Sequence, residues 1–217
     1  MIEKPDITSK HIALEGVFKS GKAKLASLLA QKIGGKVILD KTENPYLKDF
    51  YDEKEGAAFL AQLVFLVNRY HQQVRLIQRD LFEERIFCDY IFEKDKIYAY
   101  QTLSDEELVV YERIYSVLAE RVPKPDLVVY LQARPEVLYK RVKKRDKKYE
   151  RSVTFEYLTE VAQAYNQFFF YYEETPLLVV NTSEIDFVAS SKDLADLIKE
   201  INNMGLGTQH YIPLGSR

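Results

Sequence analysis

The chain has 217 residues, the length of one α/β domain with a sizeable core. Its residues are 47% hydrophobic and 29% charged, as in soluble globular proteins, and a net charge of -2 excludes a general affinity for nucleic acid or anionic membrane. A single cysteine, Cys88, rules out an internal disulfide and suits a reducing cytoplasm; the opening Met1-Ile2-Glu3-Lys4-Pro5-Asp6 is too polar for a signal peptide, and no apolar run approaches the roughly 20 residues that span a bilayer.

In chain order, a short apolar run over His11–Gly16 predicts a buried strand, and Lys22–Ile33 an amphipathic helix. Strands are predicted again over Lys36–Asp40, Arg85–Asp89, Asp126–Leu131 and Leu177–Asn181. Helical stretches cover Gly56–Phe82, Asp105–Glu120, Pro135–Arg145, Thr154–Glu174 and Ser191–Asn203. Ser104 is a good N-cap for the helix from Asp105, with Glu107 at the reciprocal capping position. No linker or repeat divides residues 1–217, so one domain is expected. Strands alternating with helices imply a five-stranded parallel sheet with helices on both faces. Ligands of such sheets bind beyond the carboxyl ends of the strands, which directs attention to residues 16–22, Asp40, Asp89 and the region after Leu131.

Gly16-Val17-Phe18-Lys19-Ser20-Gly21-Lys22 fits G-x-x-x-x-G-K directly after a strand and directly before a helix. Gly16 and Gly21 let the backbone curl around an anion, with Lys19 and Ser20 in the curl. The free N–H groups of the next helix add the positive end of its dipole, and Lys22 supplies a mobile charge for the outer phosphates. A phosphate loop of this kind normally ends in Ser or Thr, whose hydroxyl ligates Mg²⁺; here the position is Ala23, so magnesium must rely on phosphates, water and a carboxylate elsewhere.

Asp40 and Asp89 end their strands at the ligand edge. One could accept a proton from a hydroxyl and the other could hold Mg²⁺, although Asp after a strand is also a common cap or turn residue. The run Lys140-Arg141-Val142-Lys143-Lys144-Arg145-Asp146-Lys147-Lys148 concentrates positive charge in an acidic chain. It reads either as a solvated helix face or, beside a phosphate loop, as a lid that clamps anions.

Together these segments resemble the deoxynucleoside kinase family, especially its bacterial deoxyadenosine/deoxyguanosine kinase branch. The resemblance rests on Ile12-Ala13-Leu14-Glu15-Gly16, Glu43-Asn44-Pro45-Tyr46-Leu47 with Phe50-Tyr51, Gln62-Leu63-Val64-Phe65-Leu66 with Arg69, Asp89-Tyr90-Ile91-Phe92-Glu93-Lys94-Asp95, Pro125–Leu131 and the basic run ending in Glu150. It implies a P-loop kinase fold and a cytoplasmic homodimer working in nucleotide salvage, with Gly56–Phe82 and Asp105–Glu120 as candidate dimer helices. The implied reaction is ATP- and Mg²⁺-dependent phosphorylation of a deoxynucleoside 5′-hydroxyl, with a purine the expected base. It further implies that Gln62 and Asp95 read the base, that Arg69 supports them, and that Tyr51 and Glu150 hold the sugar 3′-hydroxyl. Arg141 and Arg145 match lid arginines on the donor phosphates, Asp89 matches an acid associated with magnesium, and Asp40 is the best match for the general base, usually Glu.

The chain departs from the family pattern at several places. Beyond Ala23, Tyr90 stands where many members have a motif arginine, Asp146-Lys147 where Gly-Arg is usual, and Asp40-Lys41-Thr42-Glu43 is one residue short before Asn-Pro. These features leave a second reading, a nucleotide-binding protein of this family with weak or no catalysis and a regulatory or scaffolding role. A nucleoside-monophosphate kinase is a third reading, against which Tyr51, Gln62, Arg69 and Asp95 argue.

Overall fold

Among the described residues six parallel strands form, five of them from short apolar runs: β1 (His11–Glu15), β2 (Lys36–Ile38), β3 (Ile86–Cys88), β4 (Leu127–Gln132) and β5 (Leu177–Asn181), with β6 (Thr208–Tyr211) added to them. The computed structural model describes residues 9–41, 43–79, 85–144 and 153–213. The strand order is β2-β3-β1-β4-β5-β6. The expected parallel α/β sheet is present, but with six strands rather than five. The sixth comes from a segment, Thr-Gln-His-Tyr, that lacks an apolar run and is largely exposed. It forms because β5 offers an open edge, against which residues 208–211 pair in register with Leu177–Val180.

The chain divides into two compact units. The first holds the sheet with α1 (Lys22–Ile33), α6 (Pro135–Lys143), α7 (Phe155–Phe170) and α8 (Ser191–Asn202). Alternate residues of each strand face opposite sides. Ile12, Leu14, Leu127, Val129, Leu178 and Val180 pack with Leu25, Leu29, Leu194, Leu197 and Ile201 of α1 and α8. The residues between them take the other face, where the Tyr130 ring stacks on Phe169 of α7 with centroids 4.2 Å apart.

The second unit is helical: α2 (Leu47–Tyr51), α3 (Ala57–Arg79), α4 (Lys94–Thr102) and α5 (Asp105–Ala119). Its core gathers Leu66, Phe92, Ala99, Leu103, Tyr111 and Tyr115. The reciprocal capping box of Ser104 and Glu107 forms as the sequence predicts. Two helices, α2 and α4, go beyond the sequence expectation. The first is only five residues long. The second buries Lys94 and Asp95 beside Ile97 and Ala99, so its inward face is half charged and its apolar period is weak. Asp40 does not end a strand; β2 stops at Ile38 and Asp40 belongs to the helical unit. Among the described residues no helix is long and apolar enough to cross a membrane.

Candidate active site

The phosphate loop leaves β1 at Gly16 and enters α1 at Lys22. A Cβ on Gly16 would lie 2.6 Å from the Leu131 carbonyl oxygen and 2.7 Å from Ser20 Oγ, so only glycine fits there. Gly21 has φ 104°, in the left-handed region, and Lys19 has φ 67°. Ser20 is buried and its Oγ makes no hydrogen bond to the described residues. The Lys22 ammonium donates to the Gly16 carbonyl and lies 3.2 Å from Glu15 Oε1. Arg141 of α6 donates to the Thr182 carbonyl at 3.0 Å and to the Lys19 carbonyl at 3.5 Å. The structure therefore brings Gly16, Lys19, Ser20, Gly21, Lys22 and Arg141 into one loop-centred group. A curled backbone with two cations at its rim is shaped for the phosphates of a nucleotide.

Glu15 holds this group together and has no role in the sequence reading. It is fully buried, and its Oε1 accepts from the Gly16 N–H at 2.9 Å and from the Tyr165 hydroxyl at 3.4 Å as well as facing Lys22. Its signal in the sequence is a charge closing an apolar strand. Asp89 follows β3, is buried, and its N–H donates to the Ile38 carbonyl. Among the described residues no three His, Cys, Asp or Glu side chains group to hold a metal. Asp89 is thus a buried carboxylate just beyond β3, an oxygen donor of the kind a hard divalent cation takes. Arg145 and Glu150 lie outside the described residues.

In the helical unit, α3 turns a polar stripe inward. Gln62, Arg69 and Gln73 are buried, and spacings of seven and four residues place them on one helix face. The Arg69 guanidinium grips Asp40 with two hydrogen bonds, Nε to Oδ1 at 3.0 Å and an NH2-group bond to Oδ2 at 2.8 Å. Its remaining nitrogen donates to Asp95 Oδ1. Lys94, which the sequence reading passes over as part of a motif, donates to Asp40 Oδ2 at 2.9 Å. Two cations and two carboxylates thus form one buried, hydrogen-bonded cluster.

The two acids differ in consequence. Burial pushes the Asp40 carboxyl up, but the charges of Lys94 and Arg69 and their hydrogen bonds outweigh it and hold Asp40 well below the usual carboxylate range. Asp95 is completely buried, and that burial, opposed by Arg69 and assisted by the charge of Asp40, raises it to about 6. Asp95 Oδ2, Gln73 Oε1 and the Tyr111 hydroxyl are buried without a hydrogen bond to the described residues. Polar atoms left in this state are expected where a ligand or water completes them. Gln62 is held by Thr102 at 3.2 Å. Tyr51, at the end of α2, is 69% exposed, and its ring packs against that of Phe50.

The deoxynucleoside kinase family profile matches residues 12–205, spanning both units. Deoxyguanosine kinase of Bacillus subtilis is 30% identical over 203 residues, covering 91% of this chain and 98% of the relative. Deoxyadenosine kinase of Dictyostelium discoideum is 27% identical, covering 91% and 81%. In fold, the chain is similar to deoxyadenosine kinase from M. mycoides with bound dATP, with a TM-score of 0.72 and 22% identity, over 88% of this chain and 99% of that one. With a match over nearly its whole length and a phosphate loop of the required shape, the chain belongs to the deoxynucleoside kinase family.

Proposed function

We propose that the protein transfers the γ-phosphate of ATP to the 5′-hydroxyl of a deoxynucleoside, with purine deoxynucleosides as its substrates, and that residues 1–217 work as one kinase domain. The observation that carries the substrate half is the buried Asp40–Arg69–Asp95 chain, in which one arginine fixes both a proton acceptor and a base-reading acid. The relatives' names, deoxyguanosine and deoxyadenosine kinase, support the purine.

In this reading Gln62 and Asp95 meet the polar edge of the base, and Tyr51 and Glu150 hold the 3′-hydroxyl. Asp40 accepts the proton of the 5′-hydroxyl. Its low basicity is compatible with that task. Phosphoryl transfer passes through a loose transition state in which the attacking oxygen keeps its proton late, so position matters more than base strength. Lys22, Arg141 and Arg145 offset charge on the donor phosphates. Bound Mg²⁺ would neutralise phosphate charge, and Asp89 is the carboxylate that would hold it. A homodimer through α3 and α5 fits the exposed apolar side chains Leu60, Val67, Val109, Val110 and Val117.

Coupled ADP-release assays with deoxyadenosine, deoxyguanosine, deoxycytidine and thymidine test the reading. Turnover with one or both purines is expected, and no turnover above background with any of the four at ample Mg²⁺ would refute it. The state of Asp95 adds a pH signature. The groups around it are Arg69, Lys94, Asp40 and Tyr111. As pH rises through about 6, Asp95 changes from a proton donor to a charged acceptor, so kcat/KM for the nucleoside should show an inflection there. The inflection should be missing in Asp95→Asn; a variant that retains it assigns the titration elsewhere.

A further inference from the structure

We propose that Thr102 sets which purine the site prefers, by fixing the way round that Gln62 presents its amide. The inference rests on the reading of Gln62 as the base-facing residue. Gln62 is buried on α3, and its Nε2 donates to Thr102 Oγ1 at 3.2 Å. Thr102, at the end of α4, donates its own hydroxyl hydrogen to the Tyr98 carbonyl at 2.9 Å, one turn back on the same helix.

A hydroxyl has one hydrogen. With that hydrogen committed to Tyr98, Thr102 Oγ1 offers lone pairs to Gln62, and the amide end facing it must be the NH2 group. Turning the amide over would set its carbonyl oxygen against Oγ1. Two acceptors would then face each other unless the hydroxyl abandoned Tyr98, leaving one hydrogen bond where there are now two. Losing one such bond in a buried place shifts the balance roughly tenfold.

The orientation has chemical meaning because adenine and guanine are opposites at this edge. Adenine carries a donor, the 6-amino group, beside the acceptor N1. Guanine carries an acceptor, O6, beside the donor N1–H. An amide also presents one acceptor and one donor side by side, so for a given seat of the purine one orientation pairs with adenine and the reverse with guanine. With one Nε2 hydrogen on Thr102, the second N–H and Oε1 are what Gln62 has for the base. Thr102 is therefore a positioning residue: it touches Gln62, and Gln62 touches the base.

The test measures kcat/KM for deoxyadenosine and deoxyguanosine, alone and in competition, for the wild type and for Thr102→Val, Thr102→Ala, Thr102→Ser and Gln62→Ala, with thermal melts of each. The wild type is expected to favour one purine at least tenfold. Thr102→Val, which keeps the shape and removes the hydroxyl, should compress that ratio about tenfold, and Thr102→Ser should retain it. Thr102→Ala gives the same reading if the valine variant does not fold. A wild type that does not distinguish the purines overturns the proposal. So does a ratio that survives in both hydroxyl-free variants while Gln62→Ala abolishes it; in that case Gln62 still reads the base and only the lock is wrong. If Gln62→Ala itself leaves the ratio intact, the base-reading role fails and the proposal falls with it.

Discussion

Replacing Asp40 by Asn is expected to lower kcat for deoxynucleoside phosphorylation on the order of 10²- to 10⁴-fold, the range for loss of a positioned proton acceptor. Asn keeps the size of the side chain and one acceptor oxygen but cannot take a proton. Asn is preferred to Ala because Arg69 and Lys94 both rest on this carboxylate. Stripping a buried ion of its partner costs about 3–5 kcal/mol, enough to confuse misfolding with lost catalysis. KM for ATP should move little, since Lys22 and Arg141, assigned to its phosphates, belong to the loop and α6. A kcat within threefold of wild type, in protein that melts as a folded unit, would remove Asp40 from the mechanism. Lys94→Met is the companion measurement. Without the ammonium, burial pushes the Asp40 carboxyl up, so the acid limb of the kcat–pH profile should move to higher pH. The sign for stability follows from the same group. A carboxyl lowered in the folded state stabilises above its unfolded value, near 3.9, and that contribution fades as pH falls through the lower folded value.

Lys22→Met should lower kcat/KM for ATP on the order of 10²- to 10³-fold, the effect of removing one charged donor from a site preorganised for developing negative charge. The substitution preserves length and apolar bulk while removing the ammonium that lies 3.2 Å from Glu15. Glu15 then keeps the Gly16 N–H and the Tyr165 hydroxyl but loses the Lys22 ammonium, so the melting temperature should fall. Adding Glu15→Gln to Lys22→Met should recover stability without recovering rate. That divergence separates the lysine's work on phosphate from its work inside the fold. An unchanged kcat/KM for ATP in the single variant would show that the loop holds its nucleotide through backbone alone.

The phosphate loop is legible in the sequence because its parts are contiguous: strand, curl and helix follow one another over residues 11–33 and need no distant partner to be recognised. Five of the six strands announce themselves by short apolar runs. The sixth is invisible by that criterion, since Thr208–Tyr211 has no apolar run; it pairs with the open edge of β5 and only Tyr211 packs against the core. Helix α4 is hidden for a related reason: the face it buries carries Lys94 and Asp95.

In the candidate site, the residue types at Gln62, Arg69 and Asp95 are set by the sequence, and their resemblance to family motifs marks them before any geometry is known. What joins them is tertiary. Asp40 is 29 residues from Arg69 and 54 from Lys94, and its carboxylate finds both only when its own segment, α3 and α4 meet. Periodicity and local motifs carry information over a turn or two of chain, so they determined the class of fold, the phosphate loop and the candidate residues. The basicity of Asp40, the raised Asp95, the buried support from Glu15 and the orientation of Gln62 depend on charges and hydrogen bonds between distant segments. Only the folded packing decides those, because burial and proximity are properties of the assembled core.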